Sequence, residues 1–382
     1  MSGPLEGVKV IELAGLGALP FGSLKLADMG AQITRVDRVS EVPDDRTAKP
    51  YSSWDRGRDS VAVNLKHPDG VATVLRMVEQ ADVFLEAFRP GVAERLGLGP
   101  SEVQGRNERI VYGRLTGWGQ EGPLASAAGH SLNYEAITGV TRAIGPVGGP
   151  PSPTLTLLGD FAGGGLSLAF GVACALVDVA RTGKGRVIDA GMTDGVMSLA
   201  GVFYGMAASG MHTEEMGSNL FDGGAPFYAV YETADAKYVS IAPIEPHFYA
   251  LLLDKIGLAD ADLPEQYDRE RWPELKARLA EVFATRTRDQ WCELLEGTDA
   301  CFAPVLTFDE ARTYPHNVER GAFVADGSAE MVAVPRVSGN TTPTTSPAHV
   351  GADTDRMLNT YGFTTEEIAT LRTTGALSLI HI

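Results

Sequence analysis

What the chain has little of narrows its function first. Only three of its 382 residues are cysteine, Cys174, Cys292 and Cys301. They are too few and too scattered for a disulfide framework or a thiolate zinc site. The seven histidines include no pair at helical ligand spacing, and neither an H-E-x-x-H pattern nor a phosphate-loop lysine occurs. No window approaches the ~20 unbroken apolar residues of a membrane helix. The first seven residues have neither the basic start nor the apolar stretch of a secretion signal. The last residues, Leu379, Ile380, His381 and Ile382, do not match the Ser-Lys-Leu peroxisomal address. Cations are also scarce: 32 Lys and Arg face 49 Asp and Glu, a formal charge of -17. Such a surface repels phosphate polymers. These absences point to a cytoplasmic protein that works on a small molecule without a metal, with neither nucleic acid nor membrane as partner.

What is present is material for a core. Hydrophobic residues make up 44% and charged residues 21%, and the length suits two domains. Short β-branched runs at 8–13 (VKVIEL), 32–36 (QITRV) and 60–65 (SVAVNL) alternate with helical stretches at 23–29 and 68–80. Further strands follow at 83–85 and 110–112. Strands and helices alternating at this spacing predict an α/β fold, a parallel sheet with helices on both faces. Residues 163–180 read as a buried helix and 186–188 as another strand. A hairpin over 228–231 and 238–241, then helices at 272–284 and 288–295, predict a smaller α+β domain. The polar stretch 340–347 (NTTPTTSP) reads as loop or linker, and 365–371 as a terminal helix.

Three features carry candidate chemistry. Gly15, Gly17 and Gly22, with Asp37 about twenty residues on, approach a dinucleotide fingerprint. However, the last glycine falls two positions late, Pro20 stands in its place, and Arg38 follows the acid. A structural strand-to-helix turn is the preferred reading, with a dinucleotide-dependent oxidoreductase as the lesser one. His130, in GHSLNY, and Asp160, before the glycines of LLGDFAGGG, are the second feature; Asp160 alone reads equally as a helix N-cap. The third is Glu245, set between an apolar strand and Pro246.

Taken in order, GVKVIELAG, LADMGAQITRVDR, VNLKHPDG, EAFRPGV, LTGWGQEGP, GHSLNYEAITG, LLGDFAGGG, GKGRVIDAGMTDG, FDGGAPFYAVYETADAKYVSIAPIEPHFY and DACFAPVL form a specific set. The chain resembles the family III CoA-transferases over essentially its whole length, and within them the α-methylacyl-CoA racemase branch. The resemblance implies a 1,1-proton transfer at the α-carbon of a 2-methylacyl-CoA thioester through an enolate. His130 and Asp160 would face opposite sides of that carbon, and Glu245 would hydrogen-bond and orient His130. Inversion through a planar intermediate needs two such groups, one to remove the proton and one to return it. The Asp160 N–H is expected to donate to the enolate oxygen. In the transferases the matching aspartate forms an acyl anhydride, so CoA transfer is the alternative activity.

The resemblance also places Arg38, Val63, Asn64, Leu65, Lys66, Arg89, Gly129, Ser131, Leu132, Asn133 and Tyr134 along the CoA moiety, which is part of the substrate, with no separate cofactor. Phe88, Leu132 and Phe227 are candidates for an apolar acyl pocket. The implied architecture is an interlocked homodimer. Its large domain spans 1–189 and 336–382, its small domain 224–311, with linkers at 190–223 and 312–335. Three departures stand out: Ser131 where the family block commonly has aspartate, Asn64 where aspartate is usual, and Ala18, Leu19 and Pro20 in the opening turn.

Overall fold

The β-branched runs of the first half assemble into one parallel sheet because they are apolar on both faces. In the computed structural model, which describes residues 3–42, 56–324, 330–340 and 349–378, the strands are β1 (Lys9–Leu13), β2 (Gln32–Asp37), β3 (Arg58–Ala62), β4 (Val83–Glu86), β5 (Val111–Thr116) and β6 (Val187–Gly191). Their order is β3-β2-β1-β4-β5-β6, all parallel. Successive side chains of β4 alternate between the two faces. Phe84 joins Ile11, Tyr112, Val74, Met77 and Leu358 on one side. Val83 and Leu85 join Leu19, Leu26, Leu168 and Val172 on the other. The chain order reverses between β1 and β4, and in open α/β sheets the crevice beyond the strand ends at such a switch point is where ligands bind.

The elements differ from the sequence expectations mostly at their ends. The first helix is Ala18–Asp28, five residues longer at its start, because Pro20 falls in the first turn, where backbone N–H groups have no intrahelical partner anyway. Strand β3 stops at Ala62 because Val63 leaves it to bridge Leu377, and the Asn64 N–H bonds the Ala376 carbonyl at 2.8 Å. Stretch 163–180 is part of a longer rod: π-helical turns over Leu157–Leu166 run directly into an α-helix over Ser167–Thr182. By length and mean composition alone Leu157–Thr182 is apolar enough to cross a membrane, although Asp160 and Asp178 interrupt its apolar run. It lies against the sheet through Leu168, Val172, Ala175 and Val179.

The chain divides into two units. One comprises Met1–Thr138, Thr154–Leu199 and Asp326–Ile382, and contains the sheet; the other comprises Gly139–Pro153 and Ala200–Ala325. In the second unit β7 (Ala229–Glu232) and β8 (Tyr238–Ile241) form the expected hairpin. A third antiparallel strand, β9 (Phe302–Val305), adds to β8. Its four residues and Pro304, which an edge strand tolerates, leave it little strand signal in the sequence. Helices Trp272–Phe283 and Arg288–Leu295 cover this sheet around Phe227, Trp272, Phe283 and Trp291. Phe227 is 0% exposed with its ring against Tyr249, Tyr267 and Trp272. It is therefore core of this unit, not the wall of an open pocket. The proposed linker 340–347, apart from Asn340, and residues 379–382 lie outside the described residues.

Candidate active site

The site is built from loops at the carboxyl ends of β1 to β5. Asp160 reaches it by an unusual backbone. Leu155 and Thr156 both take left-handed conformations, φ 58° and 63°, each costing on the order of 1–3 kcal/mol for a residue with a side chain. The π-helical turns follow, and the Phe161 N–H reaches back to the Thr156 carbonyl at 3.4 Å. Thr156 holds the cap position, so Asp160 is not an N-cap; it sits within the first turn. Its carboxyl group lies over the loop after β1. A Cβ on Gly17, itself at φ +62°, would be 3.1 Å from Asp160 Oδ2. Of the near-fingerprint glycines, Gly17 thus leaves room for a carboxyl group of the chain itself, while Gly22 admits the Gly165 backbone. Asp37, which would hold a ribose in a dinucleotide fold, is buried and bonded by Arg35 at 2.8 Å and by the Ser60 hydroxyl.

Close glycine contact fixes this arrangement. A Cβ on Gly22 would lie 2.7 Å from the Gly165 carbonyl oxygen, and one on Gly165 would lie 2.5 Å from that of Ala18. The first helix and the π-helical turns therefore touch backbone to backbone, with the rings of Phe21 and Phe161 alongside, tilted by 36° with centroids 4.8 Å apart.

His130 precedes the short helix Ser131–Ala136. Its backbone N–H donates to Asn133 Oδ1 at 3.1 Å and its carbonyl accepts the Asn133 N–H at 2.7 Å. Asn133, expected along the cofactor, thus spends its side-chain oxygen fixing the histidine backbone. The imidazole is exposed. Burial raises the Asp160 carboxyl above its usual range, His130 pulls it down and Glu135 pushes it up, and the net shift is upward. The two expected proton carriers are therefore electrostatically coupled within one unit. The Asp160 N–H, expected to face a thioester oxygen, donates instead to Ser131 Oγ at 3.2 Å; the π-helical winding turns it into the protein.

Tyr134 closes the near side. Its hydroxyl donates to the Gly129 carbonyl, its ring meets Trp118 edge-on at 4.8 Å, and a Cβ on Gly117 would be 2.0 Å from it. Burial raises its pKa, Asp160 adds to that and Arg89 opposes it, so Arg89 and Asp160 both act on this ring. Arg89 follows β4 in a loop held by Glu86. That carboxylate, 0% exposed, accepts the Phe88 N–H at 2.7 Å and Arg114 Nε at 2.9 Å. Burial pushes its pKa up against the lowering by those two donors. Glu86 was missed in the sequence, although an acid ending an apolar strand is a visible signal.

The remaining expected residues fall into two groups. Arg38, directly after β2, Lys66, after β3, and Arg89 are exposed cations; Arg38 pairs with Glu41 on the surface at 3.3 Å. Leu132 is exposed and Gly129 partly so. Val63 and Ser131 are buried, and Leu65 and Phe88 pack on the sheet core. Asn64 serves the fold: its amide donates to the Gly375 carbonyl at 3.1 Å and its oxygen accepts the Lys66 N–H at 3.1 Å. Glu245 belongs to the second unit, where it is exposed at the start of helix Pro246–Lys255 and lies near enough to Cys301 to raise the thiol pKa, after burial.

Residues 5–354 match the family model described as CoA-transferase family III. The chain belongs to that family. Among curated family III relatives, the mouse alpha-methylacyl-CoA racemase is 43% identical over 373 residues, 96% of each chain. The human alpha-methylacyl-CoA racemase is 42% identical over 368 residues, 95% of each chain. A crystal structure from Mycobacterium tuberculosis superposes with a TM-score of 0.76 at 26% identity, covering 93% of this chain and 99% of that one.

Proposed function

We propose that this family III member is a racemase that interconverts the (R) and (S) forms of 2-methylacyl-CoA thioesters. The observation that carries the reading is the Asp160 carboxyl group set against the loop after β1, at the carboxyl edge of a parallel sheet, its pKa raised by burial against the lowering effect of His130. A group held toward its protonated form can return a proton, while a neutral imidazole removes one from the other face. In the reverse direction an imidazolium and a carboxylate exchange these roles. The racemase names of the mouse and human relatives supply the substrate class.

In this reading His130 takes the α-proton, the electron pair moves into the thioester as an enolate, and Asp160 delivers a proton to the opposite face. Enolate formation needs donors at the thioester oxygen, each worth roughly 3–4 kcal/mol. Because the Asp160 N–H is taken by Ser131, those donors come from other groups. Arg38, Lys66 and Arg89 hold the CoA phosphates, guanidinium being suited to bidentate phosphate pairing. We further propose an interlocked homodimer. Phe170, 71% exposed, and Val177, 63% exposed, on the outer face of helix Ser167–Thr182, support a covered surface there.

The test is to incubate one epimer of a 2-methylacyl-CoA in heavy water and follow α-deuterium by NMR. Deuterium entering with loss of optical purity is expected; retention of both the hydrogen and the configuration overturns the reading. Family membership favours one second activity, CoA transfer through an Asp160 acyl anhydride. Hydroxylamine trapping of that anhydride, with acceptor-dependent CoA exchange, would identify it.

A further inference from the structure

A second carboxylate lies behind Asp160. Glu135, on helix Ser131–Ala136, is 1% exposed, and three donors converge on it. The Ser131 hydroxyl at 2.7 Å and the Gly159 N–H at 3.0 Å meet Oε1, and the Thr154 hydroxyl meets Oε2 at 2.6 Å. Ser131 Oγ in turn accepts the Asp160 N–H at 3.2 Å. Thr154 and Gly159 bracket the left-handed pair Leu155 and Thr156. One carboxylate therefore ties both ends of the strained stretch that feeds the π-helical turns, and strained backbone persists only where its surroundings over-determine it. The approach is close: a Cβ on Gly159 would come within 2.4 Å of Ser131 Oγ.

We propose that Glu135 is the positioning residue that sets where Asp160 presents its carboxyl group, gripping Thr154 and Gly159 directly and Asp160 through Ser131. The proposal rests on Asp160 carrying a proton in the reaction proposed above. It also gives Ser131 a purpose. A hydroxyl both donates to Glu135 and accepts from the Asp160 N–H, whereas an ionised carboxylate at 131 accepts only. The Glu135 charge has a second consequence: it acts with burial to hold the Asp160 proton, against the pull of His130. Tyr134, from the same short helix, meets Asp160 as a neutral hydroxyl. Neighbouring elements meet these turns with Gly17, Met192 and Val196, which carry no charge.

Full-length Glu135→Gln keeps the side-chain size and removes the charge, and Glu135→Leu removes the acceptor as well. With one epimer of 2-methyloctanoyl-CoA in heavy water, Glu135→Gln should keep KM within about twofold, lose roughly tenfold in kcat and move the Asp160 limb of the pH profile to lower pH. Glu135→Leu should lose roughly 100-fold, the scale of a misplaced reacting group. If the leucine variant does not fold, the glutamine variant decides alone. A wild-type kcat in Glu135→Gln, or a loss with the pH limb unmoved, overturns the proposal. A ¹³C NMR titration of the Asp160 carboxyl, assigned with Asp160→Asn, reads the same point without turnover. A lower carboxyl pKa in Glu135→Gln supports the proposal and an unchanged one overturns it. A wild-type protein that exchanges no α-hydrogen sinks the racemase reading separately.

Discussion

At the scale of single residues, the burial of Asp160 costs stability wherever its carboxyl group is ionised. Its folded pKa lies above the ordinary 3.8 because burial, assisted by Glu135, outweighs His130. The folded state therefore binds this proton more tightly than the unfolded chain does, and the contribution of Asp160 to stability declines as pH rises from about 3.8 through the folded value. Asp160→Asn removes the ionisable group. At pH 7 the variant should melt at a higher temperature than the wild type while losing α-proton exchange. The advantage should vanish below the ordinary carboxylate pKa, where both states of the wild type are protonated. Calorimetry across this pH range checks the sign, and an equal or lower Tm at pH 7 contradicts it.

At the scale of elements, the site depends on two helices that meet backbone to backbone. Gly22 and Gly165 approach so closely that a methyl group on either would strike a carbonyl oxygen, and backbone atoms cannot rotate away as a side-chain end can. Gly22→Ala should cost about 1–3 kcal/mol, the usual range for overpacking. It should also lower kcat more than it raises KM, because the displaced turn carries Asp160. Chemical denaturation with steady-state kinetics measures both. Normal kcat in a destabilised variant would uncouple this contact from the site. The same principle applies to the glycines at 15 and 17, whose spacing resembles a phosphate turn: Gly17 leaves room for the Asp160 carboxyl group, and Gly15 packs against Leu19 and Ala87.

At the scale of the whole molecule, the charge of -17 opposes an anionic substrate such as a CoA thioester, so local cations at the strand ends must attract it. Raising ionic strength from about 0.05 to about 0.5 M shortens the Debye length from over 10 Å to a few ångströms. Screening then weakens the general repulsion and, if the proposed function holds, the attraction of the CoA phosphates to Arg38, Lys66 and Arg89. The contacts act at shorter range and are distinct in kind: Arg89→Ala should raise KM several-fold and flatten the salt dependence, with kcat little changed. An unaltered KM in Arg89→Ala would remove that residue from CoA binding.

The sequence by itself determined the apolar runs that become β1 to β6 and the succession of motifs that marks the family, and it singled out Asp160, whose pKa His130 lowers in the folded chain. Those features are local: a β-branched run or a glycine-flanked acid is visible without its neighbours in space. Only the tertiary structure decided that residues 157–166 wind as a π-helix behind two left-handed residues, that Ser131 takes the Asp160 N–H, and that Asn64 and Phe227 serve the fold. It also brought forward Glu86 and Glu135. Each of these depends on partners far along the chain, Glu135 and Gly159 being 24 residues apart. A buried polar group reveals its use only when the atoms that satisfy it have been folded into place.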